Sequence, residues 1–206
     1  MARWLTKEMT LNVSKSREAI LYLDALQKQI KTVDIVADYY PGKIYIKFEG
    51  ANEHLQDALE QAKRLHKIIK GMLYKNIEGY YTYYVPFLIK KTGKTFPIEP
   101  LVSLLELLEY ETFKEEEKIY SEIKYNELQH VINLFLKALN EMPYAVSTSS
   151  LRNILAILAV YKKISVEEAL DLAQKAAIIK EDAQKRLLLK MEPTQALKKC
   201  VQVTTN

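Results

Sequence analysis

Lys63, Arg64, Lys67 and Lys70 fall within two helical turns, and Lys90, Lys91 and Lys94 follow nearby. Cations spaced in this way can neutralise several phosphates of a nucleic-acid backbone. They also suit a solvated helix face that needs no ligand. Thr92-Gly93-Lys94-Thr95 invites a second phosphate chemistry, the nucleotide-binding loop. That loop requires a glycine five residues before Gly93 so that backbone amides can wrap the phosphates, and Leu88 stands there. The segment therefore reads as a basic loop. His54, His66 and His130 lack metal-ligand spacing; the first two are twelve residues apart on one expected helix and cannot share an ion. Each is read as a surface or boundary residue. Cys200 is the single cysteine, which excludes an internal disulfide or a cysteine metal cluster. The chain has no serine–histidine–acid arrangement, no glycine-framed nucleophile and no paired acids at a plausible site. The expectation is a protein that is not an enzyme and carries no cofactor and no metal.

The elements that must position these residues are organised around Val33 to Gly50. This stretch predicts two strands joined at Pro41-Gly42, since proline presets φ for one turn position and glycine takes the next. The second strand sets Ile44, Ile46 and Phe48 on one face and Lys43, Tyr45 and Lys47 on the other. Leu5 to Val13 predicts an earlier strand, at an edge because Lys7 interrupts its apolar side. A helix capped by Ser14 or Ser16 runs to about Lys31, with Ile20, Leu23, Leu26 and Ile30 in phase. Asn52 is expected to cap a longer helix whose apolar stripe runs from Leu55 to Met72, with Gly71 weakening its last turn. Residues 79–89, GYYTYYVPFLI, predict a strand bent or placed at an edge by Pro86.

The order then recurs. Residues 98–109 predict a helix, 110–115 and 118–125 a hairpin around Glu116-Glu117, and Asn126 the cap of another helix. After Pro143 the strand pattern ends. Ser149 or Ser150 is expected to cap one helix, Ser165 and Glu168 form a capping box for the next, and Ala183 to Met191 reads as helical. The fold class is α+β: tandem ferredoxin-like βαββα units with antiparallel sheets, then a helical C-terminal region. The boundaries are 1–78, 79–146 and 147–206, with the strand 79–89 shared or exchanged between the units.

Gly42, Tyr45, Ile46 and Phe48 resemble the first ribonucleoprotein motif of the RNA-recognition-motif family, while Pro41, Lys43 and Ile44 depart from it. Lys43 replaces one stacking aromatic, and Thr10 stands where the partner strand would carry another. The resemblance implies single-stranded RNA across the sheet, a base stacked on Tyr45, and phosphates near Lys43 and Lys47. The other reading packs Tyr45 beneath the C-terminal helices. As a whole, the chain resembles a group of uncharacterised archaeal conserved proteins, from which no function transfers.

The net charge of +4 divides unevenly. Residues 1–97 hold 16 basic and 10 acidic side chains, residues 98–146 hold 4 and 10, and residues 147–206 hold 10 and 6. Blocks of opposite sign point to different partners. The N-terminal MARWLTKEMT lacks an apolar signal region, and apolar runs such as Ile154 to Tyr161 are too short to span a bilayer. The expectation is a cytoplasmic protein without membrane contact that binds RNA or the ribosome through its basic first unit. The alternative is a protein–protein scaffold, or the subunit of a homodimer, that buries its sheet face.

Overall fold

The computed structural model describes residues 4–203, and the chain divides into two units between Tyr83 and Tyr84. In the first unit, β1 (Trp4–Asn12), α1 (Ser16–Gln29), β2 (Asp34–Tyr40), β3 (Lys43–Ala51) and α2 (Asn52–Leu73) follow the expected order. The central strand is β3, and its sequence explains why. Ile44, Ile46 and Phe48 are all but completely buried, whereas Lys43, Tyr45 and Lys47 are exposed. β1 pairs with it antiparallel from Trp4↔Ala51 to Asn12↔Lys43, and β2 from Asp34↔Glu49 to Tyr40↔Lys43. The order β1-β3-β2 therefore leaves β1 and β2 as edges. Gly42 closes the β2–β3 turn at φ +88°, a conformation that L side chains rarely adopt.

Both helices cover the buried face of this sheet. Leu55, Ala58, Ala62, Leu65, Ile69 and Met72 line the inner side of α2; Ala19, Tyr22, Ala25 and Leu26 line that of α1. Gly71 has a packing role, because a Cβ there would lie 3.2 Å from both the Thr82 Cβ and its carbonyl oxygen. The expected caps at Ser14 or Ser16 and at Asn52 are corrected. Lys15 and Ala51 hold the N-cap positions without a side-chain cap. Glu18, three residues beyond Lys15, instead reaches back to accept from the Ser14 amide at 2.8 Å.

β4 (Tyr81–Tyr84) straddles the division, and the second unit continues through α3 (Val85–Thr92), α4 (Ile98–Leu107), β5 (Thr112–Glu115), β6 (Lys118–Ser121) and α5 (Tyr125–Asn140). The second three-stranded sheet has the order β4-β6-β5. The expected strand 79–89 is thus half correct: it stops at Tyr84, and a helix follows. Pro86 lies in the first turn of α3, where its missing N–H costs nothing, and Val85, Phe87 and Leu88 are buried. α3 ends at Gly93, which takes the left-handed conformation at φ 70° and donates to the Ile89 carbonyl. Thr92-Gly93-Lys94-Thr95 is therefore a helix C-terminus rather than a strand-to-helix phosphate loop. The Asn126 cap is also corrected, because α5 starts at Tyr125 behind Lys124.

The C-terminal region comprises α6 (Ser149–Lys162), α7 (Val166–Lys175), β7 (Ile179–Glu181), β8 (Leu187–Leu189) and α8 (Pro193–Gln202). The Ser165–Glu168 capping box forms as expected. The expected cap at Ser149 or Ser150 falls to Thr148, which makes no side-chain cap bond. The helix expected over Ala183 to Met191 is replaced by an antiparallel hairpin. Asp182 directs the turn, its carboxylate accepting from the amides of Gln184 and Arg186. Such local carboxylate-to-amide bonds offer the backbone an alternative to the helix.

α6 packs against α4, α5, α7 and α8, with Leu151, Ile154, Leu155 and Leu158 all buried. Truncation after Pro143 would strip this helix from α4 and α5 and uncover their apolar sides. The truncated protein is expected to aggregate, as read by light scattering after purification. A soluble monomer with unchanged melting temperature would contradict this.

Candidate nucleic-acid interface

α2 carries its core stripe on one side, and that phase dictates where its charges go. Lys63, Arg64, Lys67 and Lys70 alternate with Ala62, Leu65, Ile69 and Met72 and are all exposed. From Gln61 to Ile77 the chain holds five basic residues and no acid. The acids of this helix, Glu53, Asp57 and Glu60, lie in its first half. Cations toward a helix C-terminus also complement the partial negative charge of its carbonyls. Lys63, Arg64, Lys67 and Lys70 thus place four exposed cations on consecutive turns of one side of α2.

The outer face of the sheet is different. Tyr45 is 44% exposed, so its ring is not buried; it packs edge-on against Tyr40 with centroids 5.5 Å apart. Successive rows across this face read Thr6–Glu49–Asp34, Glu8–Lys47–Val36, Thr10–Tyr45–Asp38 and Asn12–Lys43–Tyr40. Four carboxylates thus meet two lysines. Lys47 forms an ion pair with Glu49, whose hydrogen bond and charge, with added attraction from Glu8, raise the pKa of the lysine. A phosphate approaching Lys47 must compete with both carboxylates. Trp4, Val36 and Tyr40 are exposed on the same side.

Lys43, Tyr45 and Lys47 therefore lie on the outer side of the sheet, and Lys63, Arg64, Lys67 and Lys70 on the helix layer covering its inner side. The first unit does not bring the two groups together. Lys90, Lys91 and Lys94 belong to the second unit, at the end of α3 and just beyond it, and are exposed.

Directly beneath the basic strip is a buried polar cluster. Glu18 is fully buried, and its Oε2 accepts from the Ser14 amide at 2.8 Å and from the Tyr74 hydroxyl at 2.9 Å. Its Oε1 lies 3.3 Å from Nε2 of His66, within ion-pair reach, yet neither atom completes a hydrogen bond. The two atoms carry opposite charges only when His66 is protonated. The Tyr22 ring stands edge-on to His66 at 5.6 Å, and its hydroxyl donates to the Ala62 carbonyl. Burial pushes the Tyr22 phenol up and also raises Tyr74, with help from its bond to Glu18. Burial, then the Lys70 charge, holds His66 below its ordinary value, against the pull of Glu18 and of a bond to the Asn12 carbonyl. With Glu18 sealed from solvent, the cluster fixes α1 on α2 and offers no substrate an approach.

His66 has a lowered pKa in the folded chain, so the unfolded chain binds its proton more readily. Stability should be complete above about pH 6.5 and decline as pH falls toward the folded value. The fall in melting temperature between pH 7.5 and pH 5 should shrink in His66→Gln. An equal fall in both proteins would remove His66 as its source.

Comparison with known proteins adds one relationship. A family model described as uncharacterized protein conserved in archaea, DUF2067, matches residues 11–198. The chain belongs to the DUF2067 family. No curated protein matches the chain, and no solved structure does.

In this DUF2067 chain, the described residues form no cluster of metal-binding side chains and no helix long and apolar enough to cross a membrane. The Glu18 cluster was missed by reading the sequence as separate elements, although one signal was present. Glu18 stands four residues before Tyr22 and seven before Ala25, in phase with the buried stripe of α1. An acid in phase with a core stripe demands a buried partner.

Proposed function

We propose that the first unit binds the backbone of an RNA strand, free or within the ribosome, through the exposed side of α2. The observation that carries this reading is the acid-free run from Gln61 to Ile77, with Lys63, Arg64, Lys67 and Lys70 exposed on consecutive turns. Such a strip attracts any polyanion and reads no base sequence, so binding should depend on charge and show little sequence preference. The acidic outer face of the sheet argues for α2, rather than Tyr45 and its flanking lysines, as the contact. The test is a titration of labelled single-stranded RNA at several salt concentrations. Four phosphate contacts predict that log K falls against log salt with a slope of about −2.8. Binding that ignores salt, or no binding, would sink the reading. Sedimentation with ribosomes from cell extract, before and after nuclease, would then tell bound RNA from bound protein.

The scaffold reading draws on a different observation. Trp4, Val36, Tyr40 and Tyr45 are exposed together on the outer sheet face. Aromatic side chains of this kind are enriched at protein interfaces. A partner held there should resist salt and lose affinity on Tyr45→Ala.

The shared strand order, β1-β3-β2 and β4-β6-β5, supports reading the two sheets as ferredoxin-like copies of one plan.

A further inference from the structure

The edge strand β2 stands out, because edge strands are normally protected. Lysine, proline, a bulge or extreme shortness usually blunts them against pairing with another chain. β2 has no lysine, proline or bulge: its sequence is DIVADYY, all seven residues pair with β3 without interruption, and Asp34 and Asp38 are its only charges. Beside it runs a cleft of about 460 Å³ between the strand and α1, with Leu23, Leu26, Ile30, Ile35 and Ala37 among its lining residues. The two faces of the strand differ in chemistry. Ile35 and Ala37 turn toward the cleft, while Val36 and Asp38 are exposed on the outer side and Asp34, also exposed, stands at the rim of the cleft.

A strand added at this edge would alternate its side chains in step with β2. One set would enter the cleft, where Leu23, Leu26, Ile30, Ile35 and Ala37 favour apolar side chains although Gln27 and Lys31 also line it. The other would lie beside Asp34 and Asp38, where cross-strand pairing favours opposite charge. A second copy of β2 would bring its own Asp34 and Asp38 to an edge that already carries both. Antiparallel pairing centred on Val36 would set Asp34 of each copy opposite Asp38 of the other, and like charges directly opposite are destabilising.

We propose that β2 is a docking edge for an extended segment of a partner protein in which apolar and basic residues alternate. Main-chain hydrogen bonds would supply affinity, and the cleft and the two carboxylates would supply selectivity. This surface is separate from the α2 strip, and neither reading depends on the other.

The test uses the full chain and a fluorescein-labelled seven-residue peptide alternating lysine and valine. A second peptide has the same composition in two blocks, and a third alternates glutamate and valine. The alternating lysine peptide should bind at least tenfold more tightly than either. Amide hydrogen exchange should slow on β2 when it binds. Asp34→Lys with Asp38→Lys should reverse the preference toward the glutamate peptide. Equal binding of the block peptide would reduce the effect to bulk charge and overturn the proposal. So would exchange protection elsewhere than β2, or no binding. Slowed β2 exchange that rises with protein concentration alone would assign the edge to a second copy instead. Exchange on the wild-type chain decides the matter even if the double variant fails to fold.

Discussion

Glu18→Ala should destabilise the first unit by about 2–6 kcal/mol, because it leaves two buried donors without an acceptor and each such orphan costs about 1–3 kcal/mol. The carboxylate it deletes is fully buried and accepts two hydrogen bonds, from the Ser14 amide and the Tyr74 hydroxyl. Without it, one amide and one phenol lose their acceptor, and His66 faces a cavity. A domain's whole stability is commonly about 5–15 kcal/mol, so the variant should sit near the edge of folding. Glu18→Gln keeps the shape and one acceptor oxygen and should cost less. Ser14→Ala should cost little by comparison, because the donor to Glu18 is the backbone amide. Denaturant melts of the three variants make the comparison. A loss below about 1 kcal/mol for Glu18→Ala would mean that the cluster does not hold α1 on α2.

Reversing Lys63, Arg64, Lys67 and Lys70 to Glu should abolish RNA binding while leaving the fold intact. All four are exposed, and substitutions at such positions usually change stability within about 0.5 kcal/mol each. Each lost phosphate contact should flatten the salt slope by about 0.7, so single reversals should remove it stepwise. Tyr45→Ala serves as the contrast. A base stacked on Tyr45 would be worth about 1–3 kcal/mol with little effect on the salt slope. If RNA contacts only α2, Tyr45→Ala should leave affinity unchanged. Loss of binding in Tyr45→Ala alone would return the RNA to the sheet despite its carboxylates. Unchanged binding in the quadruple variant would remove α2 from the interface.

These two experiments probe opposite kinds of information. The basic strip was legible from the sequence because a helix converts spacing into direction. Residues 63, 64, 67 and 70 share a side wherever a helix forms, and the stripe from Leu55 to Met72 says which side is inward. The central strand was legible for the same reason, since Ile44, Ile46 and Phe48 alternate at period two. So were the Pro41-Gly42 turn and the Ser165–Glu168 box, whose chemistry is complete within four residues.

Other features depended on groups far apart in the chain. Residues 79–89 are rich in strand formers, yet the strand stops at Tyr84 and Val85, Phe87 and Leu88 are buried in a helix. Burial of an apolar face outweighs an intrinsic preference of a few tenths of a kcal/mol. The hairpin at Ile179 to Leu189 was hidden because its strands are three residues each, too short for a period to show. The acidity of the outer sheet face became visible only once register set Glu8 and Glu49 around Lys47 and Asp38 beside Tyr45. Sequence alone placed Glu18 and His66 on two helices, 48 positions apart. That they meet at 3.3 Å was decided by the packing of α1 on α2, because a Coulomb interaction depends on distance in space and not along the chain.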